Sequence, residues 1–388
     1  MSYFLTTKYR LLIGALFFSF NGLAQQTVQV GGYRFQTIRD MESGTVENQG
    51  KTGTCWSFSG ISFFQAEALR IGKGTGLNLS EMFVVRNMYP LKADNFIRMH
   101  GKAQFGDGGE FTDDLLCLKQ FGLVPQSVYD GNRKTVYEDS ALVHRLDSLV
   151  KKVAGSAGPI YPLAYKAKVN KLLNQYMGAV PQTFTYEGKT YDAASFAKAQ
   201  GLNADDYVLL TSFSHHPFYQ PFVLEVPDNW NWQQMYNVPL NDLCAIAENA
   251  LQKGYTVAWS AGVNDFGFNF NAGLAVVPDS LPAKVTQAEY DRLFKQPFKE
   301  KIITQEMRQQ AFDDYETQDD HGMHIVGLAK DQSGKYFFRV KNSWGTGHNA
   351  QDGYFYASEP YFAYKTTNIM VNKKALPKDI AKKLEIKI

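Results

Sequence analysis

Residues 56–69 place Phe58, Ile61, Phe63, Phe64, Ala66 and Leu69 around nearly the whole circumference of a helix. Such a helix has no face to give to water, so the chain has to wrap a core around it. The spacing predicts a buried helix that stops near Gly72. The stretch feeding into it is Gln49-Gly50-Lys51-Thr52-Gly53-Thr54-Cys55-Trp56, a Gly- and Thr-rich loop that ends in a cysteine. Cys55 is thereby set at or beside the helix N-terminus. Unpaired N–H groups and the positive end of the dipole there favour a thiolate, the nucleophilic form of the side chain. Gln49, six residues upstream, can offer its side-chain amide, together with the Cys55 N–H, to a developing oxyanion.

A cysteine ahead of an apolar run is ordinarily a small core residue. Reading it as a nucleophile requires a base, and a group to orient that base, elsewhere in the chain. His321-Gly322-Met323-His324-Ile325-Val326-Gly327-Leu328 leads into the turn Asp331-Gln332-Ser333-Gly334, and residues 336–345 return as a second strand. With the turn centred between Gln332 and Ser333, Asn342 falls opposite Met323. His321 shares the face of Met323, so His321 and Asn342 become diagonal neighbours, close enough for an Nδ1–H to bond the amide oxygen. Trp344, on the same side as Asn342, would shield that bond from water. His324 points to the opposite face, and a one-residue slip would exchange the two histidines.

A metal centre is not expected. The three-residue spacing of His321 and His324 suits a helix better than a strand, and no cysteine or carboxylate cluster completes a ligand set. His215-His216 precedes a proline without partners, and His100, His144 and His348 stand alone. Asp107-Gly108-Gly109-Glu110 reads on its own as a turn.

These segments together resemble the active-site segments of papain-like cysteine peptidases, and among them the bleomycin hydrolase and aminopeptidase C relatives. The papain pattern around the nucleophile is C-G-[SA]-C-[WY]. Thr52-Gly53-Thr54-Cys55-Trp56 departs from it at Thr52, where a disulfide-bonded cysteine normally stands, and at Thr54. Asn342-Ser343-Trp344-Gly345 matches the family's catalytic Asn segment, and His321 precedes a Val-Gly pair by five and six residues, as the family's catalytic His does. His321 and Asn342 follow Cys55 by 266 and 287 residues, against roughly 130–150 in papain. Bleomycin hydrolase and aminopeptidase C share that enlargement.

The resemblance implies an α+β, papain-like fold of two lobes. A helical lobe carries Cys55, an antiparallel β lobe carries His321 and Asn342, and the cleft lies between them. It implies a helical insertion at about 135–205, which in relatives helps form a homo-hexamer. It also implies a substrate-binding role for Gly109, supported by Gly108, because backbone approaches a peptide closely where no Cβ intervenes, and Trp344 is counted with them among the substrate-binding residues. In relatives the C-terminal arm enters the cleft and limits the enzyme to amino-terminal residues. Here the tail after Pro377 is only eleven residues.

Composition sets the outer bounds. The chain has 388 residues, 44% hydrophobic and 20% charged, enough for one large domain of two lobes. Lys8 and Arg10 precede an apolar stretch at 11–20 that is too short to span a bilayer, followed by Gly22-Leu23-Ala24. Residues 1–24 read as a cleaved signal peptide of an exported protein, periplasmic or extracellular, with 25–388 as the peptidase domain and no stable membrane anchor. Cleavage removes two basic residues from 40 Lys+Arg and leaves 38 against 38 Asp+Glu. A formally neutral chain lacks the basic footprint of a nucleic-acid binder. Cys117 and Cys244 lie in apolar helical patterns, which favours two buried thiols over a disulfide. Helices fill the chain to about residue 125 and again over 135–200, and strands dominate from Tyr207 onwards.

The function expected is hydrolysis of peptide substrates, without a cofactor, by a Cys55–His321–Asn342 triad with Gln49 at the oxyanion. An aminopeptidase leads. An endopeptidase of the same fold, or an amide hydrolase or acyltransferase using the same triad, is the alternative.

Overall fold

The computed structural model describes residues 27–132, 137–280 and 285–388. The leader expected at 1–24 lies outside them. The buried helix forms as Cys55–Arg70, and every residue over 56–68 is buried. The polar side chains on it are answered in turn. Ser57 Oγ donates to Glu81 O at 2.9 Å, Ser59 Oγ donates to Cys55 O at 2.6 Å, and Ser62 Oγ pairs with His324 Nδ1 at 2.9 Å. Gln65 Oε1 accepts the Leu79 N–H at 2.7 Å, and Glu67 is held by Arg70 and Asn372. Any of these left unpaired would cost about 1–3 kcal/mol.

This helix is shared between two layers. On one side it packs against the helices Glu81–Arg98 and Phe111–Gln120, and on the other against the strand His321–Lys330. Close approach is built in on the sheet side. A Cβ on Gly322 would lie 3.0 Å from the Trp56 Cα, so a side chain there would push the helix off the strand.

Among the described residues, twelve strands form one sheet. His321–Lys330 lies antiparallel between Val257–Ala261 and Tyr336–Lys341, and nine of its ten residues are buried. Thr366–Asn372 and Tyr207–Thr211 continue the sheet beyond Val257–Ala261. The lobe is antiparallel as expected, apart from two short pairings. Leu274–Ala275 pairs parallel with Tyr354–Ser358, and Gln234–Asn237 pairs parallel with Tyr207–Thr211.

The insertion forms the helices Ser140–Ala154 and Pro162–Met177, a hairpin of Phe184–Tyr186 with Lys189–Tyr191, and the helix Ala193–Ala199. Leu142, Leu146 and Val150 bury one stripe of the first helix, and Tyr165, Val169, Leu173 and Met177 one stripe of the second. These stripes join the same hydrophobic cluster as Phe58 and Met88, so the insertion extends the helical lobe's core and is not a separate module. Each such Leu or Val contributes about 1.5–3 kcal/mol by leaving water. All three cysteines are free thiols, Cys117 buried and Cys244 partly exposed. Among the described residues no helix is long and apolar enough to cross a membrane.

Candidate active site

Cys55 is the first residue of its helix, with Thr54 as N-cap. The loop before it is pinned on both flanks. Asp107 accepts the Gly53 N–H and, through its carbonyl, the Trp56 indole N–H at 2.9 Å, which latches the 106–110 turn to the cysteine loop. Gln49 is tied to the opposite flank. Its backbone N–H donates to Ser343 O at 2.9 Å, and its Oε1 accepts the Ser343 hydroxyl at 2.6 Å. One N–H of its amide donates to Thr52 O at 2.7 Å, leaving the second N–H for a ligand.

The hairpin brings His321 and Asn342 together by two deviations that cancel. Near the turn the register is Lys330 opposite Tyr336, one residue off the expected pairing with Lys335. A bulge between Ile325 and Gly327 then shifts it back, so that His324 faces Lys341 and the next step places Asn342 against Met323. The predicted neighbours meet, with His321 and Asn342 Oδ1 2.7 Å apart. The nitrogen involved is Nε2, which corrects the expected Nδ1. The Asn342 Oδ1 also accepts the Ser343 N–H at 2.8 Å, which fixes it as the amide oxygen and makes Nε2 the protonated ring nitrogen. Nδ1 is left as a lone-pair acceptor. Trp344 covers the imidazole at 4.8 Å between ring centres, at a 32° tilt. His324 sits on the opposite face, buried against Ser62 and Phe63 and outside the site.

The sulfur of Cys55 is approached by the backbone N–H groups of Gly322 and Trp56. Burial nevertheless pushes the thiol up to about 12, and Asp228 and Glu110 add to the rise. Burial also pushes His321 down to about 4, against the pull of Asn342 and Asp320. Burial disfavours the charged form of each group taken singly, against the two N–H groups that favour the thiolate.

Gly108 and Gly109 lie where close packing requires them. A Cβ on Gly108 would lie 2.4 Å from both Asp228 carboxylate oxygens, and one on Gly109 would meet Asp113 at 2.4 Å and Trp56 at 2.9 Å. The sequence reading did not single out the carboxyls behind them. Asp113 accepts from the Trp230 indole at 2.9 Å and from Asn231 at 3.0 Å, Glu110 accepts from Asn368 at 2.8 Å, and Asp319 accepts the Asp228 N–H at 3.0 Å. Lys92 is buried beside them and donates to the carbonyls of Gly106 and Gly108. Glu110 stood in the sequence as part of the Asp-Gly-Gly-Glu turn. Asp228, Asp319 and Asn368 carried no local signal, because they come from separate segments.

His215 and His216 do have a partner. They bond separate oxygens of Glu225, at 3.1 and 2.7 Å, and His216 stacks on Phe222. With Glu225 they form the group of three potential metal-binding side chains found among the described residues.

Known proteins sharpen this picture. The Peptidase C1-like family model matches residues 92–388. Aminopeptidase G and aminopeptidase C of Lactobacillus delbrueckii subsp. lactis are each 24% identical, over 88% of this chain and 83% and 82% of their own lengths. Bleomycin hydrolase of Rattus norvegicus is 21% identical over 94% of this chain and 88% of its own. The crystal structure of PepW from Lactobacillus rhamnosis HN001 superposes with a TM-score of 0.71 at 20% identity, over 90% of this chain and 84% of that one, which establishes the fold. The chain therefore belongs to the Peptidase C1-like family, as a cysteine peptidase of the aminopeptidase C and bleomycin hydrolase type.

Proposed function

We propose that this protein is an exported cysteine aminopeptidase that works through Cys55, His321 and Asn342, with Gln49 at the oxyanion. The observation that carries the reading is the His321 Nε2 to Asn342 Oδ1 bond of 2.7 Å, which leaves Nδ1 to serve Cys55. Proton transfer from the thiol to Nδ1 turns two separately disfavoured charges into one ion pair, so the two groups ionise together. The thiolate attacks the peptide carbonyl. The Gln49 amide N–H and a backbone N–H at the helix start receive the oxyanion. The imidazolium protonates the leaving amine, then as free base activates the water that releases the acyl group. Asn342 fixes the ring orientation, and Trp344 keeps water off that bond.

One observation favours the endopeptidase as second reading. The C-terminal residues Glu385, Ile386 and Lys387 line a cavity of about 450 Å³ with Thr112, Leu115, Lys119 and Tyr207, and none of Cys55, His321 or Asn342 lines it. Free and N-blocked fluorogenic peptides separate the two readings. Cys55→Ala should remove at least about 10⁴-fold of the activity on either peptide. Iodoacetamide that labels Cys117 or Cys244 ahead of Cys55 would count against the assignment. Export is tested by N-terminal sequencing of the native protein, which should begin at or near Gln25; a read through residues 11–20 ends that part of the proposal.

A further inference from the structure

The wall of the cleft behind Gly108 carries more negative charge than the resting protein neutralises. Asp228, Glu110 and Asp319 lie together there, and Lys92 is the cation that faces Asp228. Its ammonium is already committed to the carbonyls of Gly106 and Gly108. Asp113, close by, is taken up by Trp230 and Asn231.

Glu110 is different. It is 2% exposed, its Oε2 accepts from Asn368, and its Oε1 is buried with no hydrogen-bond partner. A buried acceptor without a donor is costly, and native structures keep few of them. Burial pushes Asp228 up to about 7 and Glu110 well above the usual carboxylate range, and Asp319 raises both further. Burial and mutual repulsion thus disfavour charge on these carboxyls, and a cation placed among them would relieve it.

The same two groups, Asp228 and Glu110, are the carboxyls whose charge bears on the Cys55 sulfur. The scissile carbonyl has to sit against that sulfur. The leaving nitrogen has to lie at His321, so the acyl half of the substrate projects along the opposite wall. In a substrate cut after its first residue, the α-ammonium is one carbon away from the carbonyl. A lysine side chain would carry its charge four carbons further out.

We propose that Asp228 and Glu110, backed by Asp319, form the anionic seat for the substrate's free α-ammonium and so direct this peptidase to amino termini. The proposal rests on the peptidase reading above, and it gives the discriminating role to side chains of the cleft wall and not to the C-terminal carboxylate.

The test uses the mature chain with active sites counted by covalent labelling of Cys55. kcat/KM is measured on alanyl-, lysyl- and N-acetylalanyl-aminomethylcoumarin. The wild-type ratio of free to blocked alanyl substrate should exceed one. It should fall 10- to 100-fold in Asp228→Asn and fall in the same direction in Glu110→Gln. It should hold in a chain lacking residues 385–388. A ratio unchanged in both carboxyl variants overturns the proposal. So does a ratio that collapses only on deleting the tail, which would make the tail the gate. Equal losses on free and blocked substrates would mean a structural role, and a change confined to lysyl over alanyl would mean a side-chain pocket. Unlabelled enzyme that cleaves none of the three, although Cys55 labels fully in a parallel aliquot, removes the peptidase reading itself.

Discussion

The two walls flanking Cys55 are built on opposite terms. On the His321 side the polar groups are chained to one another: His321 to Asn342, Asn342 to the Ser343 N–H, the Ser343 hydroxyl to Gln49, and Gln49 to Thr52. On the Gly108 side carboxyls face carboxyls, and Glu110 keeps a buried oxygen unbonded. A group that must hold a ring or an amide in one orientation has its valences taken up by the protein. On the seat proposed above, the group that would receive a charged ligand keeps one in reserve. Substitutions on the two sides should therefore fail differently, in catalysis on the first and in selectivity and pH response on the second.

The sharpest way to break the comparison is His321→Ala. Activity should fall about 10³-fold or more. Alkylation of Cys55 by iodoacetamide at pH 7 should slow on the order of 100-fold and move to alkaline pH, because burial then keeps the proton on sulfur. Alkylation that stays fast at pH 7 would show that the helix N-terminus ionises Cys55 unaided.

Gln49→Ala removes an oxyanion donor and should lower kcat by about 10²-fold with KM nearly constant. A loss confined to KM would place Gln49 in ground-state binding. Asn342→Ala should cost less than His321→Ala, on the order of 10- to 100-fold in kcat, since the base remains and only its orientation is lost. An equal or larger loss would mean that the roles of the two residues are misassigned.

The smallest effect tests the acidic wall without turnover. Asp228 has a folded pKa of about 7, above the ordinary value of about 3.9. Stability associated with its protonated form is fully present below that ordinary value and is lost as pH rises through 7. Asp228→Asn cannot ionise, so it should gain on the order of 1–2 kcal/mol over wild type above pH 7 and nothing near pH 4. Thermal melts across that range would show a widening gap; parallel curves would mean that Asp228 is not strained by its surroundings.

Much of the catalytic side was legible because it is local or periodic. Cys55 announces itself through the loop and the apolar helix behind it, and His321 and Asn342 through the parity of one hairpin. Even there the reading reached the right pairing although the register near the turn is one residue off, and the bulge between Ile325 and Gly327 restores it. The ring nitrogen was misjudged because strand parity fixes which face a side chain takes, not which atom of it points at the neighbour.

The acidic wall was not legible. Asp228 and Asp319 are 91 residues apart and meet only through a backbone N–H to carboxylate bond. The strand Thr366–Asn372 is hard to read for a related reason. Threonine and asparagine are mostly exposed residue types, yet all seven residues are buried. Asn368 and Asn372 reach across to Glu110 and Glu67 of the helical lobe, and Thr366 accepts the Trp259 indole N–H at 2.8 Å. Polar residues that staple one lobe to another look, in a sequence, like surface.

The helix Cys55–Arg70 belongs to both lobes at once, and this has a consequence for how the protein comes apart. Neither half can lose its packing on that helix without uncovering apolar residues the other half depends on. Catalytic activity then becomes a gauge of the whole chain's integrity. A protease nick or a local melt that frees the helix from Gly322 takes Cys55 away from His321 in the same stroke, and with it the proposed site.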